Sequence, residues 1–253
     1  MIEARKSRWF SAWFARHCES RIRHSFEAVH IRGLDVLAEA GARASVLVVS
    51  NHTAWWDPLV AIWLTQRLLP LDSYAMMNAT NLRRMPFFAK MGAFGVDLTD
   101  PVDGARSLRY AARLLRGAHR VVWIFAQGDE RPITELLVFR PGSAELARLA
   151  PAAAVVPLAI RYEMGNAEKP RLLVSIGAPL PAKSDRAAQE HAVRAELARI
   201  ESWVRAGDSE FTCIMQAPES FWGQVAEHIL ARFTRSALQP ALGPKHQRAP
   251  APR

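Results

Sequence analysis

Ser45-Val-Leu-Val-Val-Ser50, followed by Asn51-His-Thr-Ala-Trp-Trp-Asp57 and Pro58-Leu-Val-Ala-Ile-Trp-Leu64, is the stretch on which the fold turns. The first run is short, β-branched and continuous, the pattern of a strand buried on both faces, so a parallel or mixed sheet is expected. The polar heptapeptide breaks that run. Asp57-Pro58 then has the order of a helix N-cap and a first-turn proline ahead of an apolar helical segment. The heptapeptide therefore lies where a strand gives way to a helix, and open α/β sheets present functional groups in a crevice at that end of their strands.

Outward from this segment the alternation continues. Apolar runs over 73–77, 121–125, 154–160 and 171–176 predict strands, and the spacing predicts helices over 81–91, 102–116, 142–149 and 184–205. A further helix is expected over 211–238. The fold class is α/β: a mixed, largely buried sheet flanked by helices, with an amphipathic N-terminal helix. That helix is read from Trp9, Phe10, Trp13 and Phe14 at helical spacing, with Lys6, Arg8 and Arg16 largely on other sides. Large aromatics flanked by arginine suit a membrane headgroup boundary, although a first helix that docks on the core shows the same pattern. Residues 1–30 are expected to form this helical region, 31–238 the catalytic domain, and 239–253, rich in proline, glycine and basic residues, a disordered tail.

The chain has 253 residues, half of them hydrophobic, enough for one sizeable core. Its longest apolar run, 150–160, is broken by Pro151 and Pro157 and falls short of the roughly 20 residues that cross a bilayer. The charged N-terminus lacks the hydrophobic centre of a secretory signal, so a cytoplasmic location is expected. Cys18 and Cys213 have no companion at metal-ligand spacing, which argues against a zinc site or a disulfide framework. A formal charge of +9 would attract anionic lipid, nucleic acid or an acidic carrier protein. No paired aromatic motif of an RNA-binding sheet accompanies it, and nucleic acid is not expected as a partner.

His52 and Asp57 carry the chemistry. A histidine can take a proton from an attacking hydroxyl near neutral pH, and a carboxylate on its other nitrogen fixes the tautomer and stabilises the imidazolium. No G-x-S-x-G elbow supplies a protein nucleophile, so the substrate would supply the hydroxyl. Read alone, Asp57 is also consistent with a simple helix cap.

Asn51-His-Thr-Ala-Trp-Trp-Asp57 resembles the first motif, N-H-x-x-x-x-D, of the glycerolipid acyltransferase superfamily, which includes the lysophosphatidic acid acyltransferases. Three later segments resemble that family in the expected order. Met91-Gly-Ala-Phe-Gly-Val-Asp97 is similar to the second motif, with Leu98 where the family usually has an arginine. Phe125-Ala-Gln-Gly-Asp-Glu-Arg-Pro132 is similar to the third, commonly F-P-E-G-T-R, with Gln127 in place of glutamate and Arg131 one position late. Val156-Pro-Leu-Ala-Ile160 resembles the fourth.

The resemblance implies an O-acyltransferase in which His52 is the base, Asp57 orients it, and a coenzyme A or acyl-carrier-protein thioester donates a fatty acyl group to a membrane lipid. No metal or other cofactor is implied. Asn51, Trp55, Trp56, Gln127, Gly128, Arg131 and Arg140 are the substrate-binding candidates. Gly128 lets a backbone come close to substrate, and Arg131 offers a bidentate fork to phosphate. The expected place of work is the cytoplasmic face of an anionic membrane, peripherally bound. Lysophosphatidic acid is the family's commonest acceptor, while Leu98 and Gln127 leave open a non-phosphate, for example glycosylated, lipid. A thioesterase and a non-catalytic basic lipid-binding protein remain as alternatives.

Overall fold

A computed structural model describes residues 1–69, 71–207 and 210–217. Helix α1 (Arg8–Ser25), strand β1 (Ala28–Arg32) and helix α2 (Leu34–Arg43) lead into strand β2 (Val46–Ser50). Helix α3 (Asp57–Trp63) widens into a π-helical turn (Leu64–Leu68), followed by β3 (Asp72–Asn78) and α4 (Ala79–Arg84). A 3-10 helix (Pro86–Met91), β4 (Ala93–Val96), α5 (Pro101–Leu114), β5 (Arg120–Phe125) and α6 (Gly142–Leu149) come next. The described chain closes with β6 (Ala154–Glu163), β7 (Arg171–Ile176), α7 (Arg186–Ala206) and β8 (Thr212–Gln216).

One mixed sheet, ordered β4-β3-β5-β2-β6-β7-β1-β8, carries the fold. β4, β3, β5, β2 and β6 are mutually parallel, β7 runs antiparallel to β6, and β8 antiparallel to β1. The β-branched run of β2 is central and wholly buried. Its alternate residues feed opposite faces. Val46 and Val48 pack with α1, α2 and α3 on one side, and Leu47 and Val49 pack with α5, α6 and α7 on the other. This two-sided burial explains why the strand reads as continuously apolar rather than alternating.

Helix α1 is amphipathic in an unexpected way. Its fully buried face is the stripe Ser11, Ala15, Cys18 and Ile22, with Phe14 half-buried beside it. Phe10 and Phe14 flank a satellite cluster around Leu82 and Phe88, while Trp9 and Trp13 are 76% and 50% exposed. The boundary drawn at residue 30 falls inside β1, and Met1–Gln216 holds together as one unit.

The sequence reading departs from the structure elsewhere too. The helix expected over 81–91 is broken in two, because Pro86 lacks an N–H and disfavours helical backbone at Met85, which stands at φ −127°, ψ 67°. β1, α2 and β4 were not anticipated. The helix expected from Phe211 begins instead as β8, an edge strand on β1; residues 218–238 and the expected tail 239–253 lie outside the described residues.

Gly33, between β1 and α2, adopts φ +74°, and a Cβ there would stand 2.3 Å from the carbonyl oxygen of Ile176. Both the left-handed backbone and the backbone clash oppose a side chain. Gly33→Ala should therefore destabilise by about 1–3 kcal/mol, seen as a melting point several degrees lower; an unchanged melting curve would show that this turn yields freely.

Candidate active site

Five parallel strands end on the same edge of the sheet, and the polar segments follow from those ends. Ser50 at the end of β2 is in register with Phe125 on one side and Leu158 on the other. The loops after β2 and β5 therefore start side by side. His52 donates its backbone N–H to Gln127 Oε1 at 2.7 Å, and the His52 carbonyl accepts from the Arg131 N–H at 2.9 Å. Two segments 75 residues apart in sequence are thereby tied together.

Asp57 is completely buried and its carboxylate accepts four hydrogen bonds. Oδ2 receives His52 Nδ1 at 2.7 Å and the backbone N–H groups of Thr53 and Ala54 at 2.7 and 3.0 Å. Oδ1 receives the hydroxyl of Tyr162 at 2.6 Å. Since the carboxylate is surrounded by donors, the hydrogen on the imidazole belongs on Nδ1, leaving Nε2 with its lone pair directed outward. The helix-cap reading of Asp57 is corrected here: Asp57 is the first residue of α3, Trp56 holds the cap position without a side-chain bond, and the carboxylate turns back to the loop. His52 itself stacks on Phe125, ring centres 4.6 Å apart, and its side chain is 16% exposed.

Tyr162 was missed by the sequence reading. It lies on the extension of β6 past its pairing with β2, where nothing local distinguishes a phenol that binds a carboxylate from a packing aromatic. Burial, and then the adjacent Asp57 carboxylate, push its hydroxyl well above the usual tyrosine range, so it remains a donor.

The other candidate residues separate into groups. Asn51 is fully buried with both amide atoms bound to the backbone of Ile160, at 2.8 and 2.9 Å, so it extends the β2–β6 ladder with a side chain and faces no substrate. Gln127 is buried and spent on the His52 loop. Gly128, at φ +83°, passes under Arg140, whose Nε would be 2.4 Å from an added Cβ. Arg140 bonds Asp129 at 3.0 Å and the Gln127 carbonyl at 3.3 Å, and Arg131 faces Glu135 at 3.6 Å. Trp55 is half exposed, whereas Trp56 packs edge-on against Phe26. The Cys18 thiol is buried and pushed up to about 12 by that burial, which removes it as a nucleophile.

A cavity of about 360 Å³ opens beside His52. Trp55, Leu59, Ile62, Met77 and Phe88 contribute apolar walls, and Leu98, Asp129 and Glu130 also line it. It follows β3 from Asn78 back to Ser73, five residue steps or roughly 16 Å. Among the described residues no group of three or more potential ligands could hold a metal ion.

The acyltransferase family model matches residues 28–161, just over half of the chain. No curated protein matches it. Among solved structures, the chain is similar to the 1-acyl-sn-glycerophosphate (LPA) acyltransferase of Thermotoga maritima, with a TM-score of 0.54 and 16% identity, over 77% of this chain and 80% of that one. At that identity the likeness is one of fold.

Tyr162→Phe removes the only hydrogen bond described for Asp57 Oδ1, and a buried acceptor left unsatisfied costs about 1–3 kcal/mol. Because the pair shares one buried bond, Tyr162→Phe and Asp57→Ala combined should destabilise by less than the sum of the two. Chemical denaturation of the four proteins tests this, and strict additivity would mean that the contact is energetically empty.

Proposed function

The chain belongs to the acyltransferase family, and from that premise we propose that it moves a fatty acyl group from an acyl-CoA or acyl-carrier-protein thioester to a hydroxyl of a membrane lipid. One observation carries this reading: His52 is held by a buried carboxylate at Nδ1 while its ring borders a cavity of acyl-chain dimensions whose walls are mostly apolar. A roughly 16 Å reach accommodates on the order of a dozen extended carbons, at about 1.25 Å of advance per bond.

The acceptor hydroxyl gives its proton to His52 Nε2 as its oxygen attacks the thioester carbonyl. Asp57 stabilises the resulting imidazolium and holds the ring in place. The tetrahedral intermediate collapses by breaking the carbon–sulfur bond, and the departing thiolate recovers the proton from His52. The products are an ester and a free thiol. No protein nucleophile and no cofactor enter these steps. Asn51, Gln127 and Tyr162 act behind the site by fixing the His52–Asp57 loop, and Gly128 and Arg140 shape its rim. Trp55 borders the entrance.

No helix among the described residues is long and apolar enough to cross a membrane. We propose peripheral attachment at the cytoplasmic face; exposed Trp9 and Trp13 on α1 and the formal charge of +9 support attachment to an anionic membrane surface. Indole side chains favour the headgroup boundary, and arginines are drawn to anionic lipid within a Debye length of about 8–10 Å.

His52→Ala should lower acyl transfer by about 10²–10⁴-fold, because general-base catalysis supplies a factor of that order, while the melting point falls by only a few degrees, since Asp57 Oδ2 loses one donor and keeps the Thr53 and Ala54 N–H groups. Thiol release measured with purified enzyme decides it, and a variant retaining more than a tenth of the rate would refute the base role. Trp9→Ala with Trp13→Ala should remove the part of anionic-vesicle binding that survives high salt while leaving the salt-sensitive part. Retention of the salt-resistant fraction in a sedimentation assay would locate the apolar contact elsewhere.

A further inference from the structure

The cavity beside His52 has a one-sided charge. The acidic side chains that line it are Asp129 and Glu130, and among the described residues its lining contains no lysine or arginine. Glu130 Oε1 stands 3.9 Å from His52 Nε2, the nitrogen that faces the reacting centre. The cations of the same segment do not line it, and Arg140 reaches only one of its two acids, Asp129. Arg140 is bound to Asp129, Arg131 faces Glu135, and Leu98, another lining residue, is aliphatic.

This arrangement bears on the acceptor. An attacking hydroxyl must approach within about 2.6–3.2 Å of Nε2. A phosphomonoester on the neighbouring carbon would then lie within several ångströms of that nitrogen, inside the Debye length over which the Glu130 carboxylate repels it. Arg140 cannot neutralise both acids, because its guanidinium already serves Asp129. A head bearing hydroxyls and no phosphate meets no such repulsion, and its hydroxyls can donate to the half-exposed Glu130 carboxylate.

We infer that Glu130 is a specificity-determining residue that selects a lipid acceptor with an uncharged, hydroxyl-bearing head and rejects one with a phosphomonoester beside the reacting hydroxyl. The inference rests on the proposed role of His52, since that role fixes where the acceptor hydroxyl stands. Glu130 has no other close partner described and no part in the fold's core, so its substitution is compatible with an intact structure.

The test uses two acceptors that differ only in the phosphate, 1-monoacylglycerol and lysophosphatidic acid of the same chain length, with one acyl-CoA donor. The full-length protein, Glu130→Gln and His52→Ala are compared, each with its melting curve. The unsubstituted enzyme should have the larger kcat/KM for monoacylglycerol. Glu130→Gln should shift the ratio of the two kcat/KM values toward lysophosphatidic acid by about tenfold, equivalent to about 1.4 kcal/mol, and Glu130→Lys by more. A preference of the unsubstituted enzyme for lysophosphatidic acid overturns the inference, as does absence of transfer to monoacylglycerol, or a ratio that neither substitution moves. If His52→Ala transfers as fast as the unsubstituted protein, the His52 reading fails instead, whatever the acceptor ratio does.

Discussion

A carboxylate with no access to water organises this site. Burying an ion costs several kcal/mol unless every acceptor position finds a donor. Asp57 meets that demand with an imidazole, two consecutive backbone N–H groups and a phenol. Two of those donors require the chain to curl over 52–54 before α3 begins, which fixes the loop. The phenol requires β6 to lie next to β2. The conformation of the loop, the tautomer of His52 and the neighbour of the central strand are thus conditions of a single buried charge.

The sheet supplies the remaining positions through its polarity. Parallel strands bring their carboxyl ends to one edge, so β2, β5 and β6 deliver His52, Gln127 and Tyr162 to the same place without long loops. Asn51 strengthens this junction by pairing with both polar backbone atoms of Ile160 where the β2 ladder would otherwise stop. β3, with the broken helix that follows it, borders the cavity on the other side. Pro86 enforces the break and lets Phe88 and Met91 turn into the wall rather than continue α4. Chemistry and substrate room therefore arise on opposite flanks of β5.

Charge is distributed in the opposite sense at long and short range. The molecule as a whole is basic, which suits an anionic lipid surface, while the lining next to the reactive nitrogen is acidic. Long-range attraction toward the surface and short-range selection within the site act over different distances, so the two tendencies coexist. Arg131 and Arg140 lie in half-exposed local ion pairs with Glu135 and Asp129, and neither arginine is among the residues that line the cavity.

The local pattern of residues determined the α/β class, the central strand, the strands read from the runs at 73–77, 121–125, 154–160 and 171–176, and the strand-to-helix position of His52 and Asp57. Each of these follows from neighbours in sequence: continuous β-branched runs, helical spacing and terminal caps. The strands β1, β4 and β8 escaped that reading because, unlike the equally short β2, they have no continuous β-branched run and take their identity from partners far away, as β8 does from β1. The same reason hid Tyr162, which matters only because β6 lies beside β2, and Glu130, whose significance is a 3.9 Å distance to a side chain 78 positions earlier in the chain. It also reversed the role of Asn51, polar and adjacent to the histidine in sequence, yet committed to the sheet once Ile160 is in place. Propensity and periodicity are short-range properties, whereas burial of Asp57, the shape of the cavity and the sign of its lining are set by which distant segments the parallel sheet brings into contact.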